Sequence, residues 1–170
     1  MDRPVLMLDR DGTLNVPATS ERYVTRPADI ELMPGVAESL VETMVMDPAM
    51  VIITNQRGLA TGAMTREEYV VVTSALLGLL KQHGISPELI VTCPHDRNAC
   101  GCRKPSGAML RAAMQELEAH PAQCLFIGDQ DSDCAAAKDA GVEFLWAPDV
   151  WLHPHTLRSA LADHGGRRHS

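Results

Sequence analysis

A chain of 170 residues with 45% hydrophobic content is long enough to bury a full core, and it reads as one domain over residues 1–164. Its net charge of −7 and pI near 5.4 argue against the broad basic face that sequence-independent nucleic-acid binding needs, and 4% aromatic content leaves few surfaces for stacking bases. No stretch is apolar for long enough to span a bilayer, Met1-Asp2-Arg3-Pro4 lacks the features of a signal peptide, and five cysteines suit a reducing compartment, so a soluble cytoplasmic monomer is expected.

The first apolar run, residues 5–8, predicts a strand, and Asp9-Arg10-Asp11-Gly12-Thr13 follows it directly. In an open α/β sheet, ligands bind beyond the carboxyl ends of the strands, so both acids should face a pocket. One carboxylate can attack phosphorus while its neighbour manages the proton, provided that a cation screens the phosphate from them. The plain alternative is a polar turn closing a strand. Pro34 opens a helix predicted over 35–46, and a second strand is predicted over 50–54. Thr54-Asn55-Gln56-Arg57-Gly58 should then lie beside the first acidic loop, where a hydroxyl and backbone N–H groups can hold phosphate oxygens. Thr, Asn and Gly are also ordinary residues of a β-to-α turn.

Thr65 and Gly84 bracket a helix over 66–83, and a strand over 88–92 leads into Cys93-Pro94-His95, four residues, then Cys100-Gly101-Cys102. One histidine and three thiolates can close a tetrahedral Zn²⁺ site of the structural kind, giving the loop 93–102 the rigidity that it lacks a core to supply. Free thiols brought together by coincidence are the alternative. Lys104 precedes Pro105, which biases it away from helix, and a lysine there can neutralise the nucleophile and bind phosphate, although a solvated lysine is the commoner case.

Beyond a helix over 107–119 and a strand over 124–128 comes Asp129-Gln130-Asp131-Ser132-Asp133. Asp129 can reach a Mg²⁺ ion shared with the first loop, Asp133 can ligate it or orient its ligands, and Asp131 should face solvent. Alternatively, Ser132 caps the next helix, with the acids near its positive end. That helix is predicted over 132–140, a last strand over 143–147, a last helix over 154–163, and a flexible tail over 165–170. The alternation predicts βαβ units on a central parallel sheet, a Rossmann-like three-layer α/β/α sandwich without room for a separate cap. Cys124 and Cys134 are expected to be buried, and His83, His120, His153, His155, His164 and His169 to lie at the surface or in loops.

Together the segments LDRDGTLN (8–15), TNQRGLA (54–60), CPHDRNACGCRKP (93–105) and IGDQDSD (127–133) resemble the haloacid dehalogenase-like (HAD) phosphatases. The zinc loop narrows the resemblance to the branch of the heptose 1,7-bisphosphate 7-phosphatases and the histidinol-phosphate phosphatases. The resemblance spans residues 4–147 and implies a HAD-like fold with a minimal cap. It implies Asp9 as a nucleophile forming an aspartyl-phosphate, Asp11 as the general acid/base, and Thr54 and Lys104 as phosphate-binding residues. It further implies Mg²⁺ on Asp9, the Asp11 backbone carbonyl and Asp129 with support from Asp133, Zn²⁺ on Cys93, His95, Cys100 and Cys102, and a substrate contact from Arg103.

Three departures bear on specificity. Arg57 stands where relatives often carry serine or aspartate, and its planar fork suits a second anionic group, with Asn55 beside it. Gly107-Ala108-Met109 replaces a Pro-Gly-Met run, and the link from His95 to Cys100 is shorter than in many heptose enzymes. The expected reaction is hydrolysis of a small phosphorylated metabolite, a heptose bisphosphate-like sugar phosphate first. Histidinol phosphate is an alternative, as is a 3′-phosphate on a nucleic-acid end, which the acidic balance disfavours. A zinc-stabilised binding module without catalysis would lack one of Asp9, Asp11 or Lys104, and all three are present.

Overall fold

Five short apolar segments line up in parallel and show alternate faces to two separate sets of helices. In the computed structural model, which describes residues 3–18 and 23–165, the strands are β1 (Val5–Leu8), β2 (Ala49–Asn55), β3 (Leu89–Cys93), β4 (Cys124–Gly128) and β5 (Glu143–Trp146). Their order across the sheet is β3-β2-β1-β4-β5, with Val5 opposite both Ala49 and Cys124 and Leu8 opposite both Ile52 and Ile127. The helices are α1 (Val36–Thr43), α2 (Gly58–Thr61), α3 (Arg66–Gln82), α4 (Ala108–Glu116), α5 (Asp131–Ala140), α6 (Ala147–Leu152) and α7 (Pro154–Gly165).

Successive side chains of a strand point to opposite faces, so each strand feeds two cores. Leu6, Leu8, Met50, Ile52, Leu125 and Ile127 pack with Leu40 of α1, Val72, Leu76 and Leu80 of α3, Trp151 of α6, and Leu157 and Leu161 of α7. Val5, Met7, Val51, Ile53 and Phe126 pack on the other side with Met109, Leu110 and Ala113 of α4 and Ala136 and Ala137 of α5. Helices on both faces explain why β1 and β4 are buried along their whole length and lack polar alternation. The order reverses direction at β1, where the chain returns from β3 at one edge to lay β4 on β1's free side. At such a switch point the loops beyond neighbouring strands diverge and leave a crevice.

The predicted alternation is the observed one, with β1 and β4 at their expected bounds. Thr65 caps α3 through a reciprocal pair, its Oγ1 accepting from Glu68 N at 3.1 Å and its N–H donating to Glu68 Oε2 at 2.7 Å. The first helix is shorter than predicted: it tightens into a 3₁₀ turn at Met44–Met46, and Asp47 at φ 47° ends it. The strand expected over 143–147 stops at Trp146, because Ala147-Pro148 starts α6, a six-residue helix too short for periodicity to reveal. His164 is buried in α7, not at the surface, with Nδ1 at 2.9 Å from Ala160 O and Nε2 at 3.3 Å from Glu143 Oε2. Cys124 is buried as expected, whereas Cys134 is partly exposed. Gly165, the first residue of the expected tail, closes α7, while 166–170, with His169, lie outside the described residues.

Candidate active site and metal centres

Asp9 leaves the end of β1 with its N–H donated to Ile127 O of β4 at 2.9 Å, which anchors it at the switch point. The ammonium of Lys104 lies 2.5 Å from Asp9 Oδ1 and 2.7 Å from Asp133 Oδ1, and it donates to Ile53 O at 3.1 Å. All three charged groups are buried. Burial pushes the Asp9 carboxyl up to about 7; Lys104 opposes that rise, and the Asp133 charge adds to it. Burial works against the Lys104 ammonium, but the carboxylates of Asp9 and Asp133 outweigh it and raise its pKa. One buried cation thus faces two buried acids, and the surplus negative charge calls for a second cation.

The donor set fits a hard divalent ion. Asp9, Asp129 and Asp133 each offer a carboxylate oxygen within 4.8 Å of the others. Asp133 has one oxygen on Lys104 and the other on the backbone N–H groups of Asp129 and Gln130 (3.2 and 3.1 Å), so Asp9 and Asp129 hold the freer coordinating oxygens. Asp129 Oδ1 takes only a long contact from Thr13 Oγ1 at 3.4 Å, and Oδ2 accepts from Gln130 Nε2 at 2.6 Å. Asp131 is exposed, as expected.

Two glycines permit this convergence. A Cβ on Gly12, whose φ is +90°, would sit 2.3 Å from Asp129 Oδ2, and one on Gly128 would sit 2.5 Å from Asp133 Cβ. The acidic loop is further tied to α6, where Trp151 Nε1 donates to Thr13 O at 2.9 Å.

The Asp11 side chain turns away from the three-carboxylate group toward Arg10, Asn15 and Gln56. Thr54 is buried at the end of β2, and its Oγ1 accepts from Gln56 Nε2 at 2.9 Å, leaving its own hydrogen free to donate. Asn55 clamps the backbone of Lys104, with Nδ2 donating to Lys104 O at 3.3 Å and Oδ1 accepting from Lys104 N at 3.2 Å. Its amide is therefore committed to holding the lysine. Arg57 is likewise engaged: its Nε meets Asp96 Oδ1 at 2.5 Å, and this pairing, with the Arg97 N–H, holds the Asp96 carboxyl below its usual range. Arg103 and Lys104 line a cleft of about 460 Å³ with Asn55, Arg97, Asn98 and Ser132. Sequence reasoning gave no role to Arg10, Asn15 or Gln56, all buried around Asp11. The available signal was an arginine set between two acids, which has to be matched in charge if it is buried.

At the end of β3 and in the loop after it, Cys93, His95, Cys100 and Cys102 converge. Neighbouring ligand atoms lie 3.3 to 3.7 Å apart, and none of the cysteines forms a disulfide. A tetrahedron with metal–ligand bonds of about 2.0–2.3 Å has edges of roughly 3.3–3.8 Å, so the set fits Zn²⁺. Burial and the neighbouring thiols push the Cys102 thiol up to about 12. At Cys100, burial is overcome by hydrogen bonds from Cys102 and the backbone, which bring its thiol down to about 6.

A family model described as HAD-hydrolase-like matches residues 101–148. The D-glycero-beta-D-manno-heptose-1,7-bisphosphate 7-phosphatase of Photorhabdus laumondii is 34% identical over 142 residues, covering 79% of this chain and 74% of its own, and that of Escherichia coli K12 is 33% identical over 147 residues, covering 82% and 75%. The D,D-heptose 1,7-bisphosphate phosphatase of B. bronchiseptica, solved with magnesium and phosphate, superposes with a TM-score of 0.76 at 30% identity over 83% of this chain and 78% of that one. With its parallel sheet, its strand-end acids and these relatives, the chain belongs to the HAD-like phosphatases, within the heptose bisphosphate phosphatase family.

Proposed function

We propose that this phosphatase is Mg²⁺-dependent and removes a phosphoryl group from a small sugar bisphosphate of the heptose 1,7-bisphosphate type. The reading is supported above all by Lys104 between Asp9 and Asp133, with Asp129 close enough to share an ion with Asp9. The names of the curated relatives supply the substrate class. The cleft lined by Arg97, Arg103 and Lys104 has room and charge for a second anionic group. No helix among the described residues is long and apolar enough to cross a membrane; the proposed setting is the cytoplasm, where the thiols stay reduced.

Asp9 attacks phosphorus in line, forming an aspartyl-phosphate as the P–O bond to the sugar breaks. Asp11 gives its proton to the departing oxygen. It then takes a proton from water, which attacks the same phosphorus, releases inorganic phosphate and restores Asp9. Lys104 stays beside the Asp9 carboxylate throughout and opposes the charge that gathers on the phosphoryl oxygens, while the Thr54 hydroxyl donates to one of them. Mg²⁺ held by Asp9 and Asp129, with the Asp11 backbone carbonyl, supplies charge neutralisation at the phosphoryl group. Asp133 orients Lys104 and the loop after β4. Zn²⁺ on Cys93, His95, Cys100 and Cys102 is structural and shapes the cleft rim, since a site closed by three thiolates and an imidazole has no open position for water.

Phosphate release from heptose 1,7-bisphosphate, histidinol phosphate and a 3′-phosphorylated oligonucleotide, with and without Mg²⁺, tests this reading. The sugar should be turned over fastest and only with Mg²⁺, and Asp9→Asn should abolish turnover while leaving the fold intact. Substantial Mg²⁺-dependent turnover by Asp9→Asn would overturn the mechanism; preference for another substrate would overturn the substrate class alone.

A further inference from the structure

The Asp11 carboxylate is enclosed by donors from its own loop and from the segment after β2. Oδ1 accepts from Arg10 Nη2 at 3.0 Å and Asn15 Nδ2 at 3.2 Å, and Oδ2 accepts from Arg10 Nε at 3.0 Å and Gln56 Nε2 at 2.8 Å. Arg10, Asn15 and Gln56 are all buried, although Asp11 itself is 33% exposed. A turn that merely closed a strand would have no need of a buried guanidinium, which is costly unless its charge is matched. Arg10 is held from the other side by the ring of Tyr69, 5.9 Å from its guanidinium carbon, and the Tyr69 hydroxyl is 2.6 Å from Thr92 Oγ1 of β3.

We propose that Arg10, Asn15 and Gln56 are positioning residues for the acid/base, fixing Asp11 where it exchanges a proton with the departing oxygen and then with water. The inference rests on the reading of Asp11 as that acid/base. Gln56 links the two halves of the chemistry: its Nε2 donates both to Asp11 Oδ2 and to Thr54 Oγ1 at 2.9 Å, so one amide spans the proton-transfer group and the phosphate-binding hydroxyl. Arg10 fixes the plane of the carboxylate, because both arms of its fork bind the two oxygens in parallel, which a lysine cannot reproduce. Each Asp11 oxygen already accepts two hydrogen bonds, so a proton can enter only when one of them yields. The neutral amides of Asn15 and Gln56 are the partners able to do so while the Arg10 fork stays in place. When the proton leaves for the substrate oxygen, the same donors receive the carboxylate that forms.

Leaving-group dependence separates positioning from general structural damage. The full-length enzyme with Mg²⁺ is assayed in single turnover for release of the leaving group from a primary sugar phosphate, whose alkoxide needs a proton, and from 2,4-dinitrophenyl phosphate, whose phenolate does not. Asp11→Asn should slow the sugar phosphate by about 10²–10⁴-fold and the dinitrophenyl ester far less. Gln56→Met and Arg10→Lys should each slow the sugar phosphate by about tenfold or more, chiefly in the saturating single-turnover rate constant, and the dinitrophenyl ester by less than about threefold. Equal losses on both esters, or no loss on either, would overturn the positioning role. If Asp11→Asn itself treats the esters alike, the acid/base reading falls and this inference with it; if only the other two variants do, the inference falls alone. Should Arg10→Lys fail to fold, Gln56→Met decides the matter.

Discussion

The carboxylate centre and the cysteine loop are built in opposite ways. The first draws on residues 9, 54, 104, 129 and 133, gathered from separate segments by the order of the sheet, and all of these but the partly exposed Asp129 are buried. The second takes all four ligands from one short stretch, Cys93 at the end of β3 and His95, Cys100 and Cys102 in the loop after it, with Cys93 buried and Cys100 and Cys102 only partly covered. A site made by the sheet persists for as long as the core does. A site made mostly by one loop, joined to the core at Cys93, leans more on the ion that closes it. The two meet at Lys104, two residues past the last cysteine, so the loop's order bears directly on the lysine that faces Asp9.

The contrast can be tested most severely at that junction. Lys104→Met leaves Asp9 and Asp133 buried without their cation, and we expect a loss of about 3–5 kcal/mol of stability in metal-free protein by denaturant unfolding. Turnover should fall by about 10²-fold or more, measured at saturating Mg²⁺. Zinc removal by a strong chelator, or Cys102→Ser, should lower the melting temperature by several degrees and raise KM while far-ultraviolet dichroism stays native-like. Global unfolding would mean that the loop is not a separable unit.

The pH dependence of metal-free protein offers a finer cut. The Asp9 carboxyl lies at about 7 in the folded state against 3.8 unfolded, so the folded state binds the extra proton and loses stability as pH rises between those values. Mg²⁺ offsets that loss, so its stabilising effect should be small at about pH 5 and grow toward pH 8. Melting temperatures with and without Mg²⁺ at both values measure this, and Asp9→Asn should flatten the difference. The smallest effect is expected from Arg57→Ala: its pair with Asp96 is exposed and screened by solvent, so the denaturant midpoint should barely change.

Much of this was legible in the sequence because it depends on short range. Unbroken apolar runs marked β1 and β4, and an acid directly after each marked the centre, since a strand end fixes where the next side chain points. The cysteine spacing marked the loop in the same way. Partners were not legible. That Arg57 would meet Asp96, that Asn55 would hold the Lys104 backbone, and that Gln56 would bridge Asp11 and Thr54 all follow from how separate loops pack, to which no local period speaks. Burial of His164 is a similar case, set by α7 lying against the β5 side of the sheet.

The indole of Trp151 gives this enzyme a native optical gauge. Of its two tryptophans, Trp146 is exposed at 38%, whereas Trp151 is buried with its N–H on the carbonyl of Thr13, two residues past Asp11. Emission from that ring therefore reports the order of the turn that carries Asp9 and Asp11, without any label.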